Sequence, residues 1–452
     1  WRAACRHWHR PGSDAMARRL YSVLLALALP LIVARLFWRS RKEPGYRTHI
    51  GERFGRYRSP RPATPVIWVH AVSVGETRAA EPLIRALAAA HPQASFVLTH
   101  MTPGGRNAAR QAYAGMIEAG RLSSVYLPYD LGFLVRRFLK RFRPSFGLLW
   151  ETEVWPNLVA QCRRGEVPIA LVNARLSARS AARGARFGRL MREAAEGLAC
   201  AVAQSSADAE RLHALGVRET IVTGNLKFDA EPDAALLEQG RQWRAQIGSR
   251  PVVVLASTRE SDGRSEEGAL LAALVQARLQ HPVLARMLAV VVPRHPQRFE
   301  AVTDIASAFG LRTLRRSAAV PDAQTEVWIG DSMGELGAYY AMADLAFVGG
   351  SLLPLGAHNL IEACACGCGV LIGPHTFNFA QATDDAIAAG AAERVDDASA
   401  LWAAVARLLE DETARLAMTQ SALVFSQAHR GATQRTMAAL APLRAGLETP
   451  RP

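Results

Sequence analysis

Residues Leu345–Phe379 read LAFVGGSLLPLGAHNLIEACACGCGVLIGPHTFNF. The stretch opens on an apolar, β-like run, Leu345 to Val348, that stops at Gly349-Gly350. A loop with Gly356, His358 and Asn359 follows. Leu360, Ile361 and Ala363 then begin a helical pattern with Glu362 in its first turn. A second apolar run, Val370 to Ile372, ends at Gly373-Pro374. Loop N–H groups and a helix N-terminus favour phosphate, and an early-helix carboxylate can accept from ribose hydroxyls. The stretch therefore predicts a nucleotide site of the kind that holds a sugar nucleotide. The plainer alternative is an ordinary βαβ turn capped by Asn359.

The same rhythm runs outward from this segment. Strands are expected at Val66–Val69, Phe96–Leu98, Ser124–Leu127, Phe146–Leu149, Ile169–Val172, Ala199–Ala203 and Thr220–Val222, with helical patterns such as Thr77–Ala90 and Val154–Cys162 between them. After a polar helical piece, Ala230–Ile247, the alternation resumes at Val252–Ala256, Met287–Val292, Glu326–Ile329, Leu345–Val348 and Val370–Ile372, and helical patterns continue from Ala398. Alternating apolar runs and helices mark α/β layers. The 452 residues exceed one ordinary domain. Two Rossmann-like halves facing a cleft are expected, 43–240 and 241–452, with ligands at the carboxyl ends of strands.

The formal net charge is +14 and the pI about 10.2, a balance that favours polyanionic partners. Six cysteines include no CxxC pair, and no DxD pair ends a strand, so no metal site is expected. Crowded Cys364, Cys366 and Cys368 read as small buried filler in a reducing compartment. Residues 1–15 read as a non-structural extension before Met16, and 16–42 as an anchor helix. An apolar run from Leu20 to Ala34 carries Pro30 and is followed by Arg35. It is near the minimum length for a span. It could equally lie in the membrane interface or pack on the first domain. From Arg35 to Arg61, nine Lys/Arg face two acids, a collar suited to anionic headgroups. By the positive-inside rule it puts the body of the protein in the cytoplasm.

Several strand ends carry chemistry-bearing residues. In HAVSVGET, Glu76 lies at a strand-to-helix turn, where a carboxylate can act as general base or merely complement its helix. Glu151 and Glu153 open the next such helix and carry the same two readings. Arg175 and Arg179 are candidate anion contacts, and Lys227 could neutralise charge on a leaving phosphate; solvated surface positions are the alternative for all three. In the second half, Arg294 and His295 end a strand between Pro293 and Pro296 and suit a phosphate or a base edge, with a proline-bounded surface turn as the alternative. Asp331, Met333, Gly334 and Glu335 precede a helix, with Asp331 as a possible N-cap.

Taken together, HAVSVGET, YLPYDL, WETEVWPN, NARLSARS, TGNLKFD, VPRHPQRF, GDSMGELGAYYAMADLAFVGGSL and GPHTFNF resemble the 3-deoxy-D-manno-octulosonic acid (Kdo) transferases, in number, order and spacing. The resemblance implies an inverting GT-B glycosyltransferase at the cytoplasmic face of the bacterial inner membrane. It implies CMP-Kdo as donor substrate, a phosphorylated lipid A precursor as acceptor, membrane lipids as further partners, and no cofactor or nucleic acid. The first half then binds the acceptor and the second the CMP-sugar. By resemblance Glu76 is the general base, and Glu151 and Lys227 stabilise the transition state. Pro293, Arg294, His295, Met333, Gly334, Glu335, Asn359, Leu360, Ile361 and Glu362 form the CMP site. The chain departs from the pattern at Gly356-Ala357, where two glycines are usual, and at Leu360-Ile361. It departs further after Thr258, where Arg259-Glu260-Ser261-Asp262-Gly263-Arg264-Ser265-Glu266-Glu267 replaces a shorter His-Glu-Gly-Glu-Glu and no roles carry over. A membrane adaptor with a vestigial cleft, and transfer of another sugar, are the competing readings.

Overall fold

In a computed structural model, residues 14–41, 43–62, 65–186 and 188–447 are described. The first thirteen residues of the expected extension and Lys42 lie outside them. Asp14 and Ala15, assigned to that extension, instead open a helix, Asp14–Arg39, that ends before the expected limit at residue 42.

The chain forms two compact units, residues 1–230 with 431–452, and residues 231–430. The boundary thus falls at 230/231, not 240/241, and the C-terminus belongs to the first unit. Packing explains both shifts. Pro232 ends the preceding segment and Asp233 caps helix Ala234–Ile247. That helix then packs in the second unit, where Trp243 stacks edge-on against Trp328 at 5.0 Å. Gly240 approaches Ala338 so closely that a Cβ would sit 2.4 Å from its carbonyl oxygen. At the other end, the Asp229 carboxylate accepts from Gly431 N at 2.7 Å and from Thr433 N. It thereby caps helix Ala432–Ala439, and Ala432, Leu440 and Leu443 join the first unit's core.

The first unit holds a seven-stranded sheet in the order β3-β2-β1-β4-β5-β6-β7. Its strands are β1 (Val66–His70), β2 (Ser95–His100), β3 (Leu122–Tyr126), β4 (Phe146–Trp150), β5 (Ile169–Ala174), β6 (Cys200–Ala203) and β7 (Thr220–Val222). All are parallel. Strands such as β1, β2, β4 and β5 are buried throughout because helices cover both faces, so they read as unbroken apolar runs.

The second unit repeats the plan with β8 (Val252–Thr258), β11 (Leu288–Pro293), β12 (Thr313–Arg315), β13 (Val327–Ile329), β14 (Leu345–Val348), β15 (Gly369–Ile372) and β16 (Ala392–Arg394). Their order is β12-β13-β11-β8-β14-β15-β16, again all parallel. A two-stranded hairpin, β9 (Glu260–Ser261) and β10 (Arg264–Ser265), accounts for the altered loop after Thr258. Asp262 and Gly263 have φ of 52° and 73°, the pair of positive values that a tight type I′ turn requires. The extra residues are looped out, and Glu266-Glu267 still open the next helix. In each sheet the connection order reverses beside the first strand, at β1/β4 and at β8/β14, where open α/β sheets bind ligands at their carboxyl ends.

Candidate active site

In the first unit, Glu76 follows β1 and Glu151 follows β4, so both stand at the reversal point. Ser73 is the N-cap of helix Val74–Ala79. Its hydroxyl accepts from Glu76 N at 3.4 Å and donates to the Glu76 carboxylate at 3.1 Å, while Val72 N donates to the other carboxylate oxygen at 2.7 Å. The helix-start alternative is therefore half of the truth: Glu76 does brace its own helix. It also has a perturbed acidity. Burial, then the neighbouring charge of Glu151, push its carboxyl up to about 7, against the hydrogen bonds from Val72 and Ser73. A pKa near neutrality suits a general base.

Glu151 has a φ of 53°, a left-handed conformation uncommon outside glycine that turns the chain sharply at the end of β4. Its carboxylate accepts from Lys227 Nζ at 2.7 Å, and Arg175 lies 3.6 Å from its second oxygen. Burial works to raise this carboxyl, but Lys227 and then Arg175 outweigh it and hold it below its ordinary value. Lys227 is thus paired rather than simply solvated. It is held from two sides: Asn225 Oδ1 accepts from Lys227 N at 3.0 Å, and Asn173 Oδ1 accepts from Leu226 N at 2.9 Å. Asn173, fully buried with a φ of 52°, is the residue that sequence reasoning left without a role. Glu153 accepts from Trp155 Nε1 at 2.8 Å, and burial raises its carboxyl, with Glu151 adding to the effect. Beneath them, burial and then His100 drive His70 down to about 3, so it stays neutral.

The remaining matched segments of this unit are scaffold. The Asp130 carboxylate accepts from Asn157 N and Leu158 N at 3.0 and 2.7 Å and fixes the start of helix Pro156–Arg164, the actual extent of the helix expected at Val154–Cys162.

In the second unit the residues at the reversal point are arginines and histidines. Arg259 follows β8, Arg294 and His295 follow β11, and His358 lies in the loop after β14. Burial, then Arg294, Arg259 and His295, push His358 down to about 3; burial, Arg294 and Arg259 also lower His295. The four side chains thus share one field, and Arg259 comes from the looped-out segment to which no role carried over. The backbone beneath them is tightly laid. A Cβ at Gly349 would sit 2.7 Å from the Ser257 carbonyl oxygen, and Gly350 has a φ of 70°. The fully buried Glu266 accepts from Gly350 N, Arg259 N and Leu352 N at 2.7, 2.9 and 3.1 Å, tying the two loops together. A buried carboxylate 84 residues from the glycine it holds has no sequence signal. Ala357, where a glycine is usual, has a φ of 64°.

The other expected donor-site residues are spread along the adjoining loops. Met333 is exposed and Gly334 has a φ of 93°. The Glu335 carboxylate accepts from Arg316 at 3.1 Å. Asp331 is not the N-cap of the following helix, since Glu335 occupies that place without a side-chain cap; Asp331 instead accepts from Arg315 Nε and Ser317 N, both at 2.8 Å. Asn359 Oδ1 accepts from Ile361 N at 3.2 Å. Leu360 and Ile361 are buried, so their departure from the pattern is met by packing. Helix Ile361–Ala365 has only five residues, so its dipole is weaker than the sequence suggested. Glu362, in its first turn, lies near Tyr340. Among the described residues no cluster of His, Cys, Asp and Glu could hold a metal ion.

Two parallel sheets with polar groups at their reversal points define a GT-B-like fold. The fold is similar to that of the Staphylococcus aureus MnaA–UDP co-structure, with a TM-score of 0.58 over 86% of this chain and 99% of that one at 12% identity. The family model for 3-deoxy-D-manno-octulosonic-acid transferase (kdotransferase) matches residues 48–230. The chain is 43% identical over 430 residues to the 3-deoxy-D-manno-octulosonic acid transferase of Bordetella pertussis, covering 94% of this chain and 99% of that one. It is 34% identical over 436 residues to that of Haemophilus influenzae, with the same coverage. The chain belongs to the Kdo transferase family and is a glycosyltransferase.

Proposed function

We propose that this enzyme transfers Kdo from CMP-Kdo to a phosphorylated lipid A precursor (lipid IVA) in lipopolysaccharide core assembly, at the cytoplasmic face of the bacterial inner membrane. The observation that carries the mechanism is the pair of carboxylates at β1/β4, one raised to about 7 and the other held ionised by Lys227 and Arg175. Pairs of acids pushed apart in this way divide base and electrostatic roles. Glu76 takes the proton from the acceptor sugar hydroxyl as its oxygen attacks the anomeric carbon of Kdo. The bond from that carbon to the CMP phosphate breaks, and CMP leaves with inversion. Lys227, positioned by Glu151 and Asn173, stabilises the negative charge that develops.

The second unit holds the donor. Arg259 and Arg294, with His295 and His358 beside them, offer positive charge and ring N–H groups to the donor phosphate and to the Kdo carboxylate. The loops of Pro293, Met333–Glu335 and Asn359–Glu362 receive the nucleoside, with Glu362 accepting from ribose. No metal is assigned a part, because fixed cations can supply the same stabilisation.

The test is incubation of the detergent-solubilised protein with CMP-Kdo and tetra-acylated lipid A precursor, read by mass spectrometry. A gain of one or more Kdo masses is expected. CMP is expected to inhibit and UDP not; a folded protein that binds UDP in preference to CMP, or adds no Kdo, would overturn this reading.

A further inference from the structure

The N-terminal helix has two unlike faces. It is long and apolar enough to cross a membrane, yet one face is fastened to the first unit along most of its length. Arg18 pairs with Glu193, Tyr21 donates to Asp130 at 3.0 Å, and Asn157 donates to Ser22 Oγ at 3.0 Å. Leu25, Leu29, Ile32 and Val33 then pack on Tyr129, Leu131 and Leu134. These contacts recur every three or four residues, the spacing of a single helix face.

The opposite face is a stripe of exposed apolar side chains: Leu20, Val23, Leu24, Leu27, Leu31 and Trp38. Exposed Arg19 and Arg35 flank it. At about 1.5 Å per residue, the docked stretch from Arg18 to Val33 covers about 22 Å of helix. A bilayer's hydrocarbon core is about 30 Å thick. A helix that crossed it could not keep this stretch against a water-soluble α/β unit, because Glu193, Asp130 and Asn157 would have to enter the hydrocarbon with it.

A second feature of the same unit bears the matching charge. An open pocket of about 480 Å³ is lined by Gly55, Arg56, Tyr57, Arg137, Lys140 and Arg141. It adjoins the anchor, since Phe54 packs with Leu25 and Leu29 around Leu134. The Arg141 Nε is buried without a hydrogen-bond partner, and exposed Phe133 lies under Arg137, 5.6 Å from ring centroid to guanidinium.

We infer that the helix does not span the membrane but lies in the plane of one leaflet, still docked on the first unit, with its apolar stripe below the headgroups and the basic pocket taking an anionic lipid headgroup. Interfacial helices of this kind sink about 5–10 Å into the boundary. The inference rests on the membrane-anchor reading above and specifies its geometry.

The experiment uses the full chain with Cys5 and the half-buried Cys366 replaced by Ser, on vesicles of phosphatidylcholine with or without 30% phosphatidylglycerol (roughly the anionic content that attracts basic segments). Nitroxide labels are placed singly through Leu20→Cys, Leu27→Cys and Leu31→Cys, and their depth is read by collisional relaxation. Equal, shallow depths at all three positions are expected. Depths that differ between Leu20 and Leu31 by about 16 Å, their separation along the axis, would overturn the interfacial geometry while leaving the anchor. Failure to bind either vesicle would overturn the anchor itself. The double variant Arg137→Ala, Lys140→Ala should bind the anionic vesicles roughly 25-fold more weakly, about fivefold per charge, with binding to neutral vesicles unchanged. Equal weakening on both vesicles, or none, would remove the pocket from the account.

Discussion

The two units solve one topological problem with opposite chemistry. Both reverse their strand order beside the first strand and gather polar groups there. In the first unit those groups are acids, Glu76, Glu151 and Glu153, with Lys227 and Arg175 as countercharges. In the second they are the cations Arg259 and Arg294 beside His295 and His358, whose protonation those charges oppose, and the buried acid Glu266 is spent on backbone N–H groups. A reversal point therefore supplies position and not chemistry. The side chains placed on it decide whether it can take a proton or hold an anion.

The division can be broken most severely at the first unit's ion pair. Lys227→Met should lower the transfer rate about 10²–10³-fold, the range for removing a preorganised charge stabiliser. It should also destabilise the fold by about 3 kcal/mol, because Glu151 loses its hydrogen-bonded partner. Single-turnover kinetics and denaturant unfolding would check the two effects, and CMP affinity should not move. The opposite outcome is expected from the second unit. Arg259→Ala or Arg294→Ala should weaken CMP binding about 10-fold or more, the worth of a charge-assisted hydrogen bond, measured by calorimetry, without altering the pH profile of transfer.

A third comparison concerns acidity. With Glu76 as the proposed base, the rate should rise with pH through about 7. Glu151→Gln removes a like charge, so the ionised form of Glu76 becomes easier to reach and the acid limb should move to lower pH; an unmoved or upward-shifted limb would separate the two residues. The same linkage acts on stability. Glu76 binds its proton more tightly folded than unfolded, so its contribution is fully present below its ordinary value and declines as pH rises to about 7. Glu76→Gln should flatten that decline in urea unfolding curves.

The smallest effect tests the donor loop. Ala357 sits at a φ of 64°, where an L-residue costs about 1–2 kcal/mol. Ala357→Gly should therefore be neutral to stabilising by up to about 1 kcal/mol in thermal unfolding.

Most strands were legible because parallel strands covered on both faces are continuous apolar runs. The sheet edges β12 and β16 were not: Thr313–Arg315 and Ala392–Arg394 are short, with at most one buried side chain each. The hairpin after Thr258 carried its own signal in Asp262-Gly263, masked by the missing family pattern around it. The expected helix Thr77–Ala90 is two helices, Val74–Ala79 and Glu81–Ala90, since Pro82 cannot donate within a continuous helix. Glu76, Glu151 and Lys227 could be picked out by their places at strand ends, but not their linkage. Lys227 meets Glu151 across 76 residues, and Asn173 meets Leu226 across 53. The misplaced boundary has the same cause, since Asp229 caps a helix 202 residues away.

The central claim is that the first unit performs the chemistry and the second holds the donor. It is tested most directly in Glu76→Gln by measuring CMP affinity and the single-turnover rate of Kdo transfer on the same preparation. The account predicts a rate lower by about 10²–10⁴-fold, the worth of a general base, with CMP affinity within twofold of the unaltered enzyme. A variant that transfers Kdo at the original rate, or one that loses CMP binding together with transfer, would contradict it.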